Sequence, residues 1–363
     1  MTIAPQKELN ASALANSLNP RRGRNSDPKQ SEKAFGEKAK WAAGTDADLG
    51  IISAEFFSAV NPQALVKALE EHLPDYTETT RIIAYVRPHF QRVLSGYAQQ
   101  VKAGAFSGGI RKFLNLELSS RTFLYTPRFT RWQQAFGDRF ILRPLVREEL
   151  QNQDVTADFF NLALRGVPFS LGQTEVANET LTLEEIAGMR VVQSVLKKRK
   201  VASFLRLSVG GAIGRDLAQI SGRSGNKLAL NSTQAAKVLA YYRADAMALD
   251  AQFFDGTPME QALVGAAGMA AHTVPLVSAS AYFQPETIEQ LQRLSVKLAK
   301  LLKGKPHAWR RSYQLRIGQA HEGDFDPPDK AHRENAAAAW DILGRVEQIL
   351  VTGRASAGVP PKG

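Results

Sequence analysis

Apolar residues recur along this chain with two different periods. The runs "TRIIAYV" (80–86) and "RFILRPL" (139–145) are short, rich in branched and aromatic residues, and lack helical spacing, so each predicts a buried strand. "LGIISAEFF" (49–57) has the same character and predicts another strand. Elsewhere the period is helical. "PQALVKALEEHL" (62–73) places Leu65, Leu69 and Leu73 on one face behind a proline start. "FQRVLSGYAQQVKAG" (90–104) follows the second strand as a helix that closes on Gly104. Further helices are predicted at about 147–163, 182–199, 232–254, 285–303 and 330–351. Strands alternating with helices imply an α/β fold with a parallel sheet and right-handed crossovers.

This pattern divides the chain into three. Residues 1–45 are rich in Asn, Ser, Pro, Lys and Arg and predict a poorly ordered lead-in, with a short helix near 33–41. Residues 46–270 carry the alternating strands and helices. Residues 271–363 predict two amphipathic helices joined by a basic linker, then a disordered tail, "SAGVPPKG". Ile288, Leu291, Leu294, Leu298 and Leu301 share one helical face, and Trp340, Leu343, Val346 and Ile349 share another.

Composition narrows the chemistry. The 363 residues include no cysteine, which excludes disulfides, thiolate metal sites and cysteine nucleophiles. The six histidines never fall three to five residues apart, so no zinc-type cluster and no metal is expected. No apolar run reaches the ~20 residues that span a bilayer, and the N-terminal stretch has no apolar core of a secretory signal. A soluble cytoplasmic protein is expected. The formal net charge is +11, and residues 291–320 carry Arg293, Lys297, Lys300, Lys303, Lys305, Arg310, Arg311 and Arg316 without one acid. Such a run suits a polyanion or is a solvated helix face. No recognised nucleic-acid motif accompanies it, and nucleic acid is not the expected partner.

In an open parallel sheet, ligands bind beyond the carboxyl ends of the strands. Arg87 stands where the strand 80–86 stops, and the next helix offers its N-terminal amides to an anion. Ser95 lies eight residues on, about two turns up that helix. A guanidinium and a hydroxyl so placed could grip phosphate oxygens; a surface arginine and an idle helix serine fit the same spacing.

"VRPHFQRVLSGY" resembles the 3′-phosphate-binding motif of sulfotransferases that use 3′-phosphoadenosine-5′-phosphosulfate, with Arg87, Ser95 and Tyr97 at the matching positions. "IISAEFFSAVNPQALVKALEEHLP", "FTRWQQAFGDRFILRPLVREEL" and "GNKLALNSTQAAKVLAYYRADAMALDAQFFDG" are similar to other segments of bacterial sulfotransferase-like proteins, so the resemblance covers roughly residues 49–256. It implies a three-layer parallel sheet of the sulfotransferase or P-loop type, here with a C-terminal helical extension. It also implies transfer of a sulfuryl group from that donor to a hydroxyl, a saccharide among the candidate acceptors. The family's other signature, a Pro-Lys-x-Gly-[Ser/Thr]-[Ser/Thr] loop that wraps the 5′-phosphosulfate, has no counterpart in this sequence. Either the chain is truncated or the loop has been lost, and a non-catalytic relative that binds a nucleotide or an anionic polymer is the alternative.

Within that reading Glu55, at the end of the strand 49–57, is the candidate base; a strand-end carboxylate paired with a nearby cation fits equally. His89, in the first turn of the motif helix, is a second candidate base, and His72 is expected at the surface. "SGRSGNKLAL" (221–230) offers Arg223 and Lys227 around small residues, a second phosphate cradle or a plain surface turn. Tyr97, Phe123, Trp132 and Phe136 are core residues at helical spacing, or base-stacking ones.

Overall fold

The computed structural model describes residues 11–19, 28–120, 123–172, 181–220, 225–270 and 277–353. Arg223, residues 20–27 and the tail 356–363 lie outside the described residues. The helices are α1 (Ser12–Ser17), α2 (Pro28–Ala43), α3 (Pro62–His72), α4 (His89–Lys102), α5 (Ile110–Ser120), α6 (Thr126–Phe136), α7 (Val155–Ala163), α8 (Leu183–Lys198), α9 (Ser203–Ala218), α10 (Ser232–Phe253), α11 (Pro258–Gly268), α12 (Pro285–Gly304), α13 (Pro306–Arg316) and α14 (Lys330–Thr352). The strands are β1 (Ile82–Val86) and β2 (Phe140–Pro144), which pair in parallel from Ile82↔Phe140 to Val86↔Pro144.

The expected three-layer parallel sheet is therefore not found. Among the described residues the sheet has two strands, and the rest of the core is helix. The segment 49–57 shows why. It runs extended and then turns through the 3₁₀ helix Glu55–Ala59, with no neighbouring strand among the described residues to supply a ladder. Its recorded backbone bond to a distant element is the amide of Ala11 on the Ser53 carbonyl, so the entry to α1 stands where a strand was expected.

Two packed regions share one core. Around the strands, Phe129, Trp132 and Phe136 of α6 gather against Phe140 of β2, with Trp132 and Phe140 stacked at 6.2 Å. Beyond α4, the apolar faces of α8, α9, α10, α12 and α14 close over Ile186, Val192, Ile213, Tyr242, Leu298 and Leu343, all fully buried. Burying such side chains contributes about 1.5–3 kcal/mol each before chain entropy is set against it. α12 and α14 pack on α8, and α13 packs on α9 through the Trp309 indole, which donates to Ser208 at 2.7 Å. Leu14, Ala15 and Phe35 of α1 and α2 are buried in the same core.

The parallel pair is joined by α4, α5 and α6, and this connection builds the site. Gly104 ends α4 as the spacing predicts, in a left-handed conformation (φ +66°) that glycine adopts without strain. Among the described residues no helix is long and apolar enough to cross a membrane.

Candidate functional site: an arginine cluster at the end of β1

β1 stops at Val86, and the chain turns through Arg87 and Pro88 directly into α4. The first residue of α4, His89, is fully buried. Its Nε2 lies 2.8 Å from Oδ2 of Asp245, on the buried face of α10. The same carboxylate accepts the backbone amides of Tyr125 at 2.7 Å and Thr126 at 3.1 Å, at the start of α6. Burial alone would raise the Asp245 carboxyl, but the hydrogen bonds from His89, Tyr125 and Thr126 hold it below the usual carboxylate range. With Asp245 ionised, His89 Nε2 is the donor. The imidazole is sandwiched between the rings of Tyr125 (4.5 Å) and Tyr242 (4.8 Å).

Around this buried knot stand cations. Burial pushes the Tyr125 phenol far up, while Arg92, Arg128 and Arg87, in that order, pull it back. Three guanidiniums from the β1–α4 junction, from α4 and from α6 therefore act on one phenolic oxygen. That oxygen has no hydrogen-bond partner, and neither has the Tyr242 hydroxyl or His89 Nδ1. Arg92 also lies 4.8 Å above the Phe123 ring and faces Glu117, whose carboxyl burial raises and Arg92 lowers. The Arg128 guanidinium is driven below its ordinary value by burial and by Arg92 and Arg131, against the pull of Tyr125. Arg128 and Arg131 open on to a cavity of about 320 Å³ whose other wall is residues 58–62 and Trp132. That wall is the N-terminus of α3, capped by the Asn61 side chain on the Gln63 amide. Helix start and arginines thus present positive potential to one solvent-open space. Another depression, of about 380 Å³, is lined by Tyr282, Phe283, Gln284, Ile288 and Gln292; it offers no cation.

The residues singled out from sequence fall as follows. Arg87 is exposed at the rim of the cluster. Ser95 is half-buried on α4, and its hydroxyl donates to the Arg92 carbonyl at 3.2 Å; no hydrogen bond joins it to Arg87. Glu55 is exposed on the 3₁₀ turn, and the cation it acts on is Lys102, at the far end of α4 and roughly 20 Å of helix from Arg87. Lys227 is exposed, beside Asn226, which is fastened to the Glu184 carboxylate at the start of α8 by its backbone and side-chain amides. Tyr97, Phe123, Trp132 and Phe136 are buried in the core. His72 is half-buried and stacks on Phe35 at 5.5 Å.

Sequence reading passed over Arg92, Arg128, Arg131, Tyr125 and Asp245. One signal was available. Asp245 follows Tyr242 at helical spacing on the apolar stripe of α10, where a lone carboxylate demands a partner. The arginines gave none, because they are brought together only where Asp245 of α10 ties the start of α4 to the start of α6.

Comparison with protein families, with curated proteins and with solved structures finds no match to this chain.

Proposed function

We propose that the chain binds a phosphate-ester nucleotide of the adenosine 3′,5′-bisphosphate type beyond the carboxyl end of β1, as a binder rather than a transferase. One observation carries this reading. Arg128 and Arg131 line one solvent-open cavity with the N-terminus of α3, and Arg87 and Arg92 at the β1–α4 junction act with Arg128 on the nearby Tyr125 phenol. Arg87, Arg92 and Arg131 are exposed there, and their combined charge would draw a bound dianion. The nearby cavity of about 320 Å³ sits at the small end of the range for ligand sites.

Transfer chemistry needs more than an anchor. A base must take the acceptor proton, and preorganised donors must receive charge on the leaving phosphate. Glu55 is exposed at a turn and acts on Lys102, away from Arg87. His89 spends Nε2 on Asp245 and lies wholly inside the core. Neither placement favours proton transfer to a ligand at Arg87, so binding is the better supported of the two roles. The test is calorimetric titration with adenosine 3′,5′-bisphosphate, alongside an assay for sulfuryl transfer from the corresponding phosphosulfate. Saturable binding without transfer is expected; binding absent at millimolar ligand, or turnover by the chain as it stands, would contradict the proposal.

A further inference from the structure

The segment "KKRKVASFLRL" (197–207) joins α8 to α9 and carries two features that serve neither the core nor the arginine cluster. Lys197, Lys198, Arg199 and Lys200 are all exposed, and no ion pair ties them to a carboxylate among the described residues. Lys197 and Lys198 complement the carboxyl end of α8, as cations do at many helix ends. Arg199 and Lys200 lie beyond it. Lys200 closes the helix at φ +58°, the left-handed position where glycine is unstrained and a side chain is not.

Immediately downstream, Phe204 and Leu207 stand one turn apart on α9, each 52% exposed, while Leu205 and Val209 turn into the core. Lys297, Lys300 and Lys303 on α12 extend the charge. The residue Phe283, just ahead of α12, packs near Gly188 in the first half of α8, and α13, which follows α12, packs on α9. α8 and α12 therefore run the same way, and their basic ends fall on the same side of the molecule.

We propose that this end of the molecule, Lys197–Lys200 with Phe204 and Leu207, is a docking surface for anionic lipid membranes. Clustered cations are drawn to acidic headgroups, and an exposed aromatic–aliphatic pair among them enters the interface between headgroups and chains. A nucleic acid or sulfated polysaccharide would neutralise the lysines but leave Phe204 and Leu207 in water, so the apolar pair decides for lipid.

The test is co-sedimentation of the full chain with vesicles of phosphatidylcholine holding about one third phosphatidylserine. Binding is expected to be salt-sensitive and to be lost on pure phosphatidylcholine. Replacing Lys197, Lys198, Arg199 and Lys200 by Gln should weaken it about a hundredfold or more. F204S/L207S, with the cations intact, should weaken it about tenfold. Both variants should still unfold cooperatively, at modestly lower temperatures, because the first removes the cations at the carboxyl end of α8 and the second two half-covered apolar side chains. Vesicle binding untouched by either variant overturns the proposal. So does retention on heparin or duplex DNA stronger than on vesicles and indifferent to F204S/L207S, which would make the surface a plain polyanion site.

Discussion

His89 Nε2 and Asp245 Oδ2 stand 2.8 Å apart in the core, and this pair locks the start of α4 to the middle of α10. Because Asp245 also receives the Tyr125 and Thr126 amides, one carboxylate fixes the end of β1, α6 and α10 relative to one another. The arginines around Tyr125 inherit their convergence from it. Asp245→Ala leaves a buried imidazole and two amides unpaired and should cost about 3–5 kcal/mol of stability. Denaturant unfolding measures this; a loss under about 1 kcal/mol would mean that the knot is not what holds these elements.

Gly210 gives a second stability test. A Cβ there would lie 1.7 Å from the Lys102 carbonyl oxygen, so α9 reaches α4 only because this position has no side chain. The Gln193 amide bridges the same contact, donating to the carbonyls of Lys102 and Arg206. Alanine for glycine ordinarily favours a helix by up to about 1 kcal/mol. Here the sign should reverse, with Gly210→Ala destabilising by about 1–3 kcal/mol. An unchanged or raised melting temperature would refute the close approach.

The two strands and most of the long helices were legible in the sequence because their signals are local, whereas the helix expected at 147–163 forms only over Val155–Ala163, after two 3₁₀ turns. "IIAYV" and "FILRP" form β1 and β2 where they were expected, and α3, α8, α10, α12 and α14 match their apolar periods within a residue or two. The segment 49–57 misled because strand character needs a partner, and the packing of α1 denies it one. α9 escaped notice since Gly210, Gly211 and Gly214 blur its period, and those glycines are there for close packing. α13 looked like a basic linker, yet Trp309 is fully buried and anchors it to Ser208. Of the site, Arg87 was visible from its place after a strand. The rest depends on α10 tying the starts of α4 and α6 together through Asp245, a tertiary relation with no short-range signature.

Glu347 sets a pH dependence. Burial and the Asp216 carboxylate push its carboxyl up to about 8, against the pull of Arg316. The folded state therefore holds a proton that the unfolded chain, at an ordinary carboxyl value, has released. Between the ordinary value and about 8, rising pH should lower stability, since the native state binds more protons than the unfolded one. Glu347→Gln should flatten this decline and gain most over the parent at alkaline pH. Parallel melting curves for the two proteins from pH 5 to 9 would contradict it.

Glu55 separates binding from chemistry. It is exposed and acts on Lys102 at the far end of α4, so Glu55→Gln should change stability by no more than about 0.5 kcal/mol. It should also leave bisphosphate affinity unaltered. A marked loss of affinity in a titration of this variant would place Glu55 beside the ligand after all.

The central claim is that the cations at the end of β1 hold a phosphate ester, and Arg87 tests it most directly because it is exposed at their rim. Titration of adenosine 3′,5′-bisphosphate into the parent and into Arg87→Ala, at equal and low ionic strength, should show saturable binding that weakens at least about tenfold in the variant. The melting temperatures without ligand should agree. Equal affinity in the two proteins, or no binding by either, would contradict the account.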